Sequence, residues 1–443
     1  MPSNHSVRQF LLDISFDTLP SAVIEQAKVC CYDLLGAAVG GGRSVLASII
    51  TRHAQDHFAA GANITAVQPL LGGESISPVG AALVGATMID ALDCHDGQRE
   101  VKGHVGCSML PSLIAVLESQ LRPVTGRELI SLIVAGYEIG TRAGLALHGT
   151  VTDYHTSGAW GAVNCAALTA HVLGLNEEQF NHAVGIAEYH GPRSQMMRNI
   201  DHPTMLKDGS GWGAMAGTSA AYMAAEGFTG APAITITADD AAAYWQDLGQ
   251  NWQILNQYFK PYPVCRWAQP AVAACLTLRL KHNFDPSQVE QITVWTFHEG
   301  ARLFSDVPSD SEQAQYAISF PIAMAVLKGA ISADDVYSGF NDAQVRDMIG
   351  KVTLLEGADY NEMFPAERWA HARIRMADGT EMISEPHEAL GDPHKPMSKE
   401  QFQDKYINLC EPVWGLQKSQ QVLAYIEHLE KGDLAGLLAL IRS

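Results

Sequence analysis

The first 250 residues carry apolar side chains at helical spacing, interrupted by short polar segments. Residues 21–41 repeat apolar positions every three or four residues and end on glycines, which is typical of a helix and its C-terminus. Thr125 precedes Glu128 by three residues, and Asn176 precedes Gln179 in the same way; both spacings predict a capped helix start. Glycine, alanine and serine recur in the later runs and would let helices approach closely. The pattern therefore predicts a compact helical domain.

The pattern changes after about residue 270, where short alternating segments replace the long helical runs. Residues 289–297 and 351–357 are rich in β-forming side chains. Residues 369–385 hold Asp378-Gly379 between two alternating segments, which predicts a hairpin. The chain is helical again after residue 411 and is expected to pack on the first domain. The predicted fold is mainly α with a smaller α+β domain: a helical domain over residues 1–268, completed by residues 406–443, and an α+β domain over residues 269–405.

Composition narrows the classes of function. Of the 443 residues, 47% are hydrophobic and 17% are charged, as in a globular protein with much buried helix. The formal net charge of −19 argues against nucleic acid and anionic membranes as partners, because both need a basic surface. An acidic protein can bind an anionic substrate only in a locally basic pocket. Such a pocket should therefore appear as clustered Lys, Arg and His.

Targeting and redox features indicate a cytoplasmic protein. The N-terminal residues lack the basic region and long apolar region of a signal peptide, and no uninterrupted apolar window predicts a transmembrane span. The eight cysteines are scattered and form no CxxC pair. We therefore expect buried free thiols in a reducing compartment.

One polar stretch, DCHDGQREVKGHVGC at residues 93–107, lies between two apolar runs. A metal site, a solvated loop and a proton-transfer or anion-binding loop are all open interpretations. Zinc needs ligands that converge, usually from pairs at short spacing, whereas Cys94 and His95 are adjacent and point apart. Asp93 and His104 at the mouth of a helical core can tune each other, which favours proton transfer.

Two further segments place polar residues before predicted helix starts. Residues 153–161 put Tyr154 and His155 where exposed N–H groups could bind a carboxylate. The alternative there is an ordinary N-cap at residue 156 or 157 with an exposed His155. Residues 205–213 put Lys207 before a glycine-rich helix start, but they match neither a phosphate-binding nor a dinucleotide-binding motif. They do not match the GxSxG elbow of esterases either.

A fourth segment, YFKPYPVCRW at residues 258–267, carries Lys260 and Arg266 beside two prolines that hold an extended chain. A rigid segment with two cations suits recognition of a carboxylate. The segment also lies at a predicted domain boundary, so a purely structural linker is the alternative.

Taken in order, these four segments resemble the MmgE/PrpD family, on the stretches LDCHDGQ with HVGCSMLP, DYHTSGAWGA, LKDGSGWGAMAG with GFTGAPAI, and FKPYPVCRWAQPA. The resemblance covers about residues 90–325. It implies a helical domain with a lid-like α+β domain over residues 269–405, an active site between the two, and a homodimer. It implies no metal and no organic cofactor. It assigns active-site roles to Asp93, His104, His155, Lys207 and Lys260.

The sequence departs from the family pattern at three places. His95-Asp96-Gly97 stands where the family commonly has Asp-Asp-Thr, and Val105 stands where a proline is usual. Phe320 stands where the decarboxylases have a tyrosine. The lost hydroxyl puts decarboxylase or dehydratase specificity in doubt.

The chemistry implied by the resemblance is bond cleavage next to a carboxylate in a small di- or tricarboxylic acid. Cations must stabilise the resulting carbanion. We predict a cofactor-independent epimerase of the iminodisuccinate type. Its predicted bases are Lys207 and Tyr154, its substrate- and proton-positioning residues are His155, His104 and Asp93, and its substrate-binding cations are Lys260 and Arg266. The alternatives are a 2-methylcitrate-type dehydratase, a cis-aconitate-type decarboxylase, a non-catalytic binding protein on the same fold, and a zinc hydrolase.

Overall fold

The computed structural model describes residues 4–443, with side chains from residue 7 onward. Within these residues the α-helices are α1 (Asn4–Asp13), α2 (Ser21–Gly41), α3 (Val45–His57), α4 (Pro78–Asp90), α5 (Gly106–Ser119), α6 (Gly126–Thr150), α7 (Gly158–Val172), α8 (Glu177–His190), α9 (Met197–Asp201), α10 (Ser210–Ala225), α11 (Ile234–Thr237), α12 (Gln269–His282), α13 (His298–Ala301), α14 (Ser311–Tyr316), α15 (Ser319–Lys328), α16 (Ala333–Ser338), α17 (Ala343–Ile349), α18 (Ala358–Met363), α19 (Lys399–Glu427) and α20 (Leu434–Arg442). The strands are β1 (Gly97–Gln98), β2 (Gln257–Tyr258), β3 (Val289–Thr296), β4 (Val352–Glu356), β5 (Trp369–Met376), β6 (Glu381–Ile383) and β7 (His387–Glu388).

The helical part is built on close contacts between small residues, as the sequence predicts. Helix α10 packs on α7, α4 and α8, and α4 packs on α5. A Cβ on Gly217 of α10 would overlap the carbonyl oxygen of Ala162 on α7, so this crossing requires glycine. The interior is filled mainly by small and aliphatic side chains.

Two predicted helix starts are present, and they differ in detail. Asn176 and Gln179 form the full capping box at the start of α8. At the start of α6, Thr125 accepts a hydrogen bond from the Glu128 N–H at 3.1 Å. The Glu128 carboxylate, however, pairs with Arg122 at 2.5 Å instead of reaching back to the cap.

The sheet confirms the smaller α+β part of the predicted fold. Its strand order is β4-β3-β5-β6, and β7 pairs with the other end of β5. Strands β3 and β4 are parallel and joined by helices, whereas β5 is antiparallel to both β3 and β6. The predicted hairpin turn lies between β5 and β6, with Gly379 at φ +87°. Helix α12 packs against β5 and α15.

The C-terminal helices return to the helical part. Helix α19 packs along α2 and is broken at Gly415, which has φ +74°. Lys405 of α19 donates to Asp33 Oδ1 of α2 at 2.5 Å and to the Cys94 carbonyl at 2.6 Å. A single large hydrophobic core runs through both parts of the chain. The whole is mainly α with a smaller α+β part, as predicted.

Helix α6 is long and apolar enough to cross a membrane by length and composition, and 94% of its most apolar window is buried inside the protein. Helices α2 and α3 pass the same criterion only as a pair, and they are bent by 91° at their junction. Such buried apolar helices are also found in the cores of globular proteins. All eight cysteines are buried free thiols, as predicted.

Candidate active site

The polar stretch and the proline-containing segment meet at a short antiparallel pair, β1 with β2. Beside this pair lies a cleft with about 500 Å³ of empty space, its open mouth included. The cleft is rich in cations, although the protein as a whole is acidic. It therefore has the local positive charge that an acidic protein needs to bind an anionic substrate. Its charged and imidazole lining groups are Asp93, Lys102, His104, Asp208, Lys260, Arg266 and Arg368.

Asp93 and Lys260 form a buried ion pair in the cleft wall. Lys260 Nζ donates to Asp93 Oδ1 at 2.6 Å and to the Asp93 carbonyl oxygen at 2.8 Å. Lys260 is 1% exposed, and Asp93 holds a left-handed backbone with φ +48°. Burial lowers the pKa of Lys260, but the Asp93 carboxylate and the other groups around it together hold that pKa above its ordinary value. Lys260 is therefore a fixed cation at this position.

His104 is held as a neutral base. Its Nδ1 lies 2.5 Å from the Asp96 carbonyl oxygen, which can only accept, so Nδ1 carries the proton and donates it. The lone pair is then on Nε2, 3.9 Å from Asp93 Oδ1. Burial lowers the pKa of His104 well below 6.5, and the charge of Lys260 lowers it further. His104 thus presents an unprotonated Nε2 at neutral pH.

His95 lies behind His104 and connects it to α4. The two rings meet edge to face at 4.3 Å between centroids, and His95 Nε2 lies 3.3 Å from Asp90 Oδ1. Burial alone would raise the pKa of Asp90, but the hydrogen bond from His95 and the neighbouring positive charges together lower it. Residues 91–98 are buried throughout, so the solvated-loop interpretation of this segment is wrong.

The donor atoms of Asp93, His95 and His104 all lie within 4.8 Å of one another, a spacing that a metal ion could bridge. Two contacts oppose this use. Asp93 Oδ1 already holds the Lys260 ammonium, and His95 Nε2 faces Asp90. The arrangement therefore fits a histidine whose pKa is set by neighbouring charges better than it fits a metal centre.

Gly97, one of the departures from the family pattern, has a steric cause. A Cβ at this position would lie 2.5 Å from the Tyr258 hydroxyl and 2.8 Å from His104 Nδ1. Because real Cβ atoms do not approach that closely, any larger residue would push Tyr258 or His104 out of place. The glycine thus permits the β1–β2 contact that forms the cleft.

Lys207 and Asp208 lie together on a strained turn before α10. Lys207 has φ +50° and is buried; its Nζ donates to Gln315 Oε1 and lies 5.0 Å above the Tyr316 ring. Lys207 is not among the residues that line the cleft, although the Tyr316 ring next to it is. Asp208 does line it, and Asp208 Oδ2 accepts hydrogen bonds from the Ser157 N–H at 3.2 Å and from Ser157 Oγ–H.

Tyr154 and His155 lie outside the cleft lining. Tyr154 is 39% exposed, and Lys102 Nζ sits 3.5 Å above its ring. The His155 N–H donates to His148 Nε2 at 3.0 Å, and His155 Nδ1 is buried without a partner among the described residues. Lys102 is thus the link between this segment and the cleft. The structure does not bring Tyr154 face to face with Lys207 across the cleft.

The alternative of an ordinary N-cap also fails at α7. Ser157 precedes the helix, but its side chain makes no capping hydrogen bond. It donates to Asp208 and accepts the His104 N–H at 2.8 Å. Ser157 therefore ties the loop that carries His104 to the turn that carries Asp208.

Two arginines line the cleft with hydrogen-bonding capacity unused within the described residues. Arg266 donates to Asp392, but its Nε and Nη1 are buried without partners, and so is Arg368 Nε. Burial and the nearby Arg266 charge lower the pKa of Arg368 to about 10. Both arginines line the cleft, and a guanidinium group matches the two oxygens of a carboxylate.

Several lining residues have no signal in the sequence. Arg368 precedes β5 in an unpatterned segment, and Asn199 lies on the short helix α9. The sequence does not single out Tyr316 either. In the structure Tyr316 lines the cleft, and its hydroxyl accepts from Asn199 Nδ2 at 2.8 Å. Phe320 is fully buried and is not among the lining residues, whereas Tyr316 brings a hydroxyl group to the cleft.

Comparison with known proteins agrees with this architecture. The chain is similar to a cis-aconitate decarboxylase of Aspergillus terreus, at 23% identity over 471 residues, covering 97% of this chain and 94% of the relative. A second Aspergillus terreus cis-aconitate decarboxylase is 23% identical over 469 residues with the same coverage. The cis-aconitate decarboxylase-like protein oryM of Aspergillus oryzae is 27% identical over 150 residues, which is 30% of each chain.

The family-level comparison covers both parts of the fold. Residues 6–247 match the MmgE/PrpD N-terminal domain, and residues 262–431 match the MmgE/PrpD C-terminal domain. Together the two matches span nearly the whole chain. The protein therefore belongs to the MmgE/PrpD family.

Proposed function

We propose that this protein is a cofactor-independent enzyme that forms and reprotonates a carbanion next to a carboxylate of a small di- or tricarboxylic acid. The observation that carries the proposal is the position of His104, which lines a cleft rich in cations while its Nδ1 is held by the Asp96 carbonyl oxygen. A base beside fixed positive charge is the arrangement that proton removal next to a carboxylate requires, because the cations stabilise the developing negative charge.

Different cations of the cleft would bind different carboxylates of the substrate. Arg266 and Arg368 can each offer a guanidinium group to a carboxylate, and Lys260 and Lys102 add positive charge elsewhere in the same cleft. Two or three carboxylates on one small molecule would complement these positive charges better than a single carboxylate would. This charge pattern supports a polycarboxylate over a simple acid.

Substrate binding would also strengthen the base. In the free protein, burial and then Lys260 depress the pKa of His104. A bound polyanion offsets the second effect, so the pKa of His104 rises in the complex toward the range where an imidazole is an effective base. We expect the acidic limb of kcat/KM to lie below pH 6.5 and that of kcat to lie at higher pH.

Within this chemistry we favour an epimerase of the iminodisuccinate type. His104 takes the role of base in this proposal. The bases predicted from the sequence are Lys207 and Tyr154, but Lys207 is bound to Gln315 and Tyr154 lies outside the cleft lining. Asp93 holds Lys260 and faces His104. His155 is a positioning residue behind Lys102 and Tyr154.

Decarboxylation of a cis-aconitate-type tricarboxylate is the second candidate. The names of the Aspergillus relatives favour it, although identity is only 23% over the full length. Tyr316 supplies a hydroxyl group in the cleft wall, which also supports this candidate. We rank proton removal first because His104 is available as a base, whereas loss of CO₂ needs no base.

The test is a substrate panel in D₂O. Purified protein is incubated with iminodisuccinate, 2-methylcitrate, citrate and cis-aconitate, and each sample is followed by proton NMR and CO₂ release. An epimerase replaces the α-proton with deuterium without consuming the substrate. CO₂ release without exchange would identify the decarboxylase instead, and a new absorbance near 240 nm would identify a dehydratase.

A homodimer and a cytoplasmic location remain predictions that accompany the proposal. Sedimentation of the purified protein tests the first. If no member of the panel is turned over or bound, the non-catalytic interpretation of the fold gains support instead.

A further inference from the structure

The proposed reaction needs a proton donor as well as a base, and the cleft offers few. His104 is a poor donor because its one proton is bound to the Asp96 carbonyl oxygen. Lys260 is a poor donor because the Asp93 carboxylate and the other groups around it together raise its pKa by more than burial lowers it. Burial also raises the pKa of Tyr258 to about 12 and that of Tyr316 well above 10.

We propose that Asp208 is the general acid of this site, delivering a proton from Oδ1 to the carbanion. The inference rests on the proposed function. Asp208 lines the cleft with His104 and Lys260, and it is 5% exposed. Both hydrogen bonds from Ser157 go to Oδ2, and among the described residues none goes to Oδ1. One oxygen is therefore anchored and the other is left to hold a proton.

The surroundings of Asp208 keep that proton in place near neutral pH. Burial raises its pKa from 3.8 to about 7, and the Asp90 carboxylate adds to the rise, while the hydrogen bonds from Ser157 oppose it. Two titratable groups in one cleft thus have pKa values displaced in opposite senses, which is the pattern of an acid and base pair. The other titratable groups around Asp208 are Asp93, Cys107, Lys207 and Tyr316.

The step balances for either candidate reaction. In epimerisation, His104 Nε2 takes the α-proton, the C–H electron pair remains on the substrate, and Asp208 Oδ1–H supplies the proton of the new C–H bond. In decarboxylation, the C–C bond breaks, CO₂ leaves, and the pair left on carbon takes the Asp208 proton. Asp208 is left as a carboxylate each time and regains its proton from water. After epimerisation, His104 also returns to water the proton that it took from the substrate.

Lys102 is the competing donor. It lines the same cleft, and burial lowers its pKa. The two candidates differ in their partners, because Lys102 contacts Tyr154 and Asp208 contacts Ser157. A change at Ser157 should therefore alter the titration of Asp208 and leave that of Lys102 as it was.

The experiment is the pH dependence of kcat/KM for the full-length protein on whichever panel substrate it turns over. In the wild type, activity should fall with rising pH as Asp208 loses its proton, with an apparent pKa of about 7. Asp208→Asn should lower kcat by about 10²- to 10⁴-fold and abolish this alkaline limb. Ser157→Ala removes a hydrogen bond that favours the carboxylate, so it should move the limb to higher pH.

Lys102→Met is the matched control, since it removes a cation from the same cleft. It should weaken substrate binding and leave the limb where it is. A limb retained in Asp208→Asn, or one that moves with Lys102→Met and not with Ser157→Ala, would overturn the assignment. Should Asp208→Asn fail to fold, Ser157→Ala alone still decides by the direction of its shift. A wild type that turns over no polycarboxylate would refute the proposed function itself.

Discussion

Removing Lys260 should destabilise the protein strongly, because its partner Asp93 would be left as a buried unpaired charge. The two side chains are 1% and 5% exposed, with 2.6 Å between Nζ and Oδ1. At an effective dielectric constant of about 20, this separation corresponds to an attraction of about 6 kcal/mol. Breaking such a buried pair from one side typically costs about 3–5 kcal/mol. Lys260→Met should lower the free energy of unfolding by that amount.

The assay is urea unfolding followed by tryptophan fluorescence and circular dichroism. Lys399→Met is the matched control: the Lys399–Glu427 pair has a similar distance, 2.7 Å, but its side chains are 65% and 26% exposed. That variant should lose less than about 1 kcal/mol. The double variant Lys260→Met with Asp93→Asn should regain most of the stability and stay inactive. A loss below about 1 kcal/mol in Lys260→Met, or no recovery in the double variant, would refute the burial argument.

Three further outcomes follow from the geometry. Gly217→Ala should destabilise the α7–α10 crossing by about 1–3 kcal/mol in the same unfolding assay, whereas Gly61→Ala, with open space around its Cβ, should change little. Arg368→Met should raise KM by about 10- to 100-fold with a smaller change in kcat, because it removes a charged hydrogen-bond donor for a substrate carboxylate. A fall in kcat as large as the rise in KM would contradict this. Lys405→Met should lower kcat, because the carbonyl group of Cys94, the residue after Asp93, loses the ammonium group that donates to it. A variant that loses stability but keeps its kcat would show that Lys405 is purely structural.

The elements of the fold could be predicted from patterns within short stretches of the sequence. Helix α2 and the β5–β6 hairpin are each specified by periodicity and turn residues within one short window, and both are present. Such patterns do not account for competing partners, and only half of the predicted capping box forms at Thr125. The Glu128 side chain has the right spacing, but a nearby arginine competes for it.

The site depends on contacts between distant residues, which local patterns do not reveal. Lys260 and Asp93 are 167 positions apart, and only the resemblance to the family brought them together in advance. Arg368 reaches the cleft from the approach to β5, where nothing in the sequence singles it out. Tyr154 was placed at the centre because it is adjacent to His155, whereas its backbone directs the ring toward Lys102 at the rim. Side-chain direction in a loop is set by the tertiary packing.

The exchange of the substrate α-proton with D₂O, measured for the wild type and for His104→Asn, tests the central claim most directly. We predict rapid exchange by the wild type and an exchange rate about 10²- to 10⁴-fold lower in the variant, with substrate binding retained in calorimetry. Undiminished exchange in His104→Asn, or turnover of a substrate by the wild type without any exchange, would contradict it.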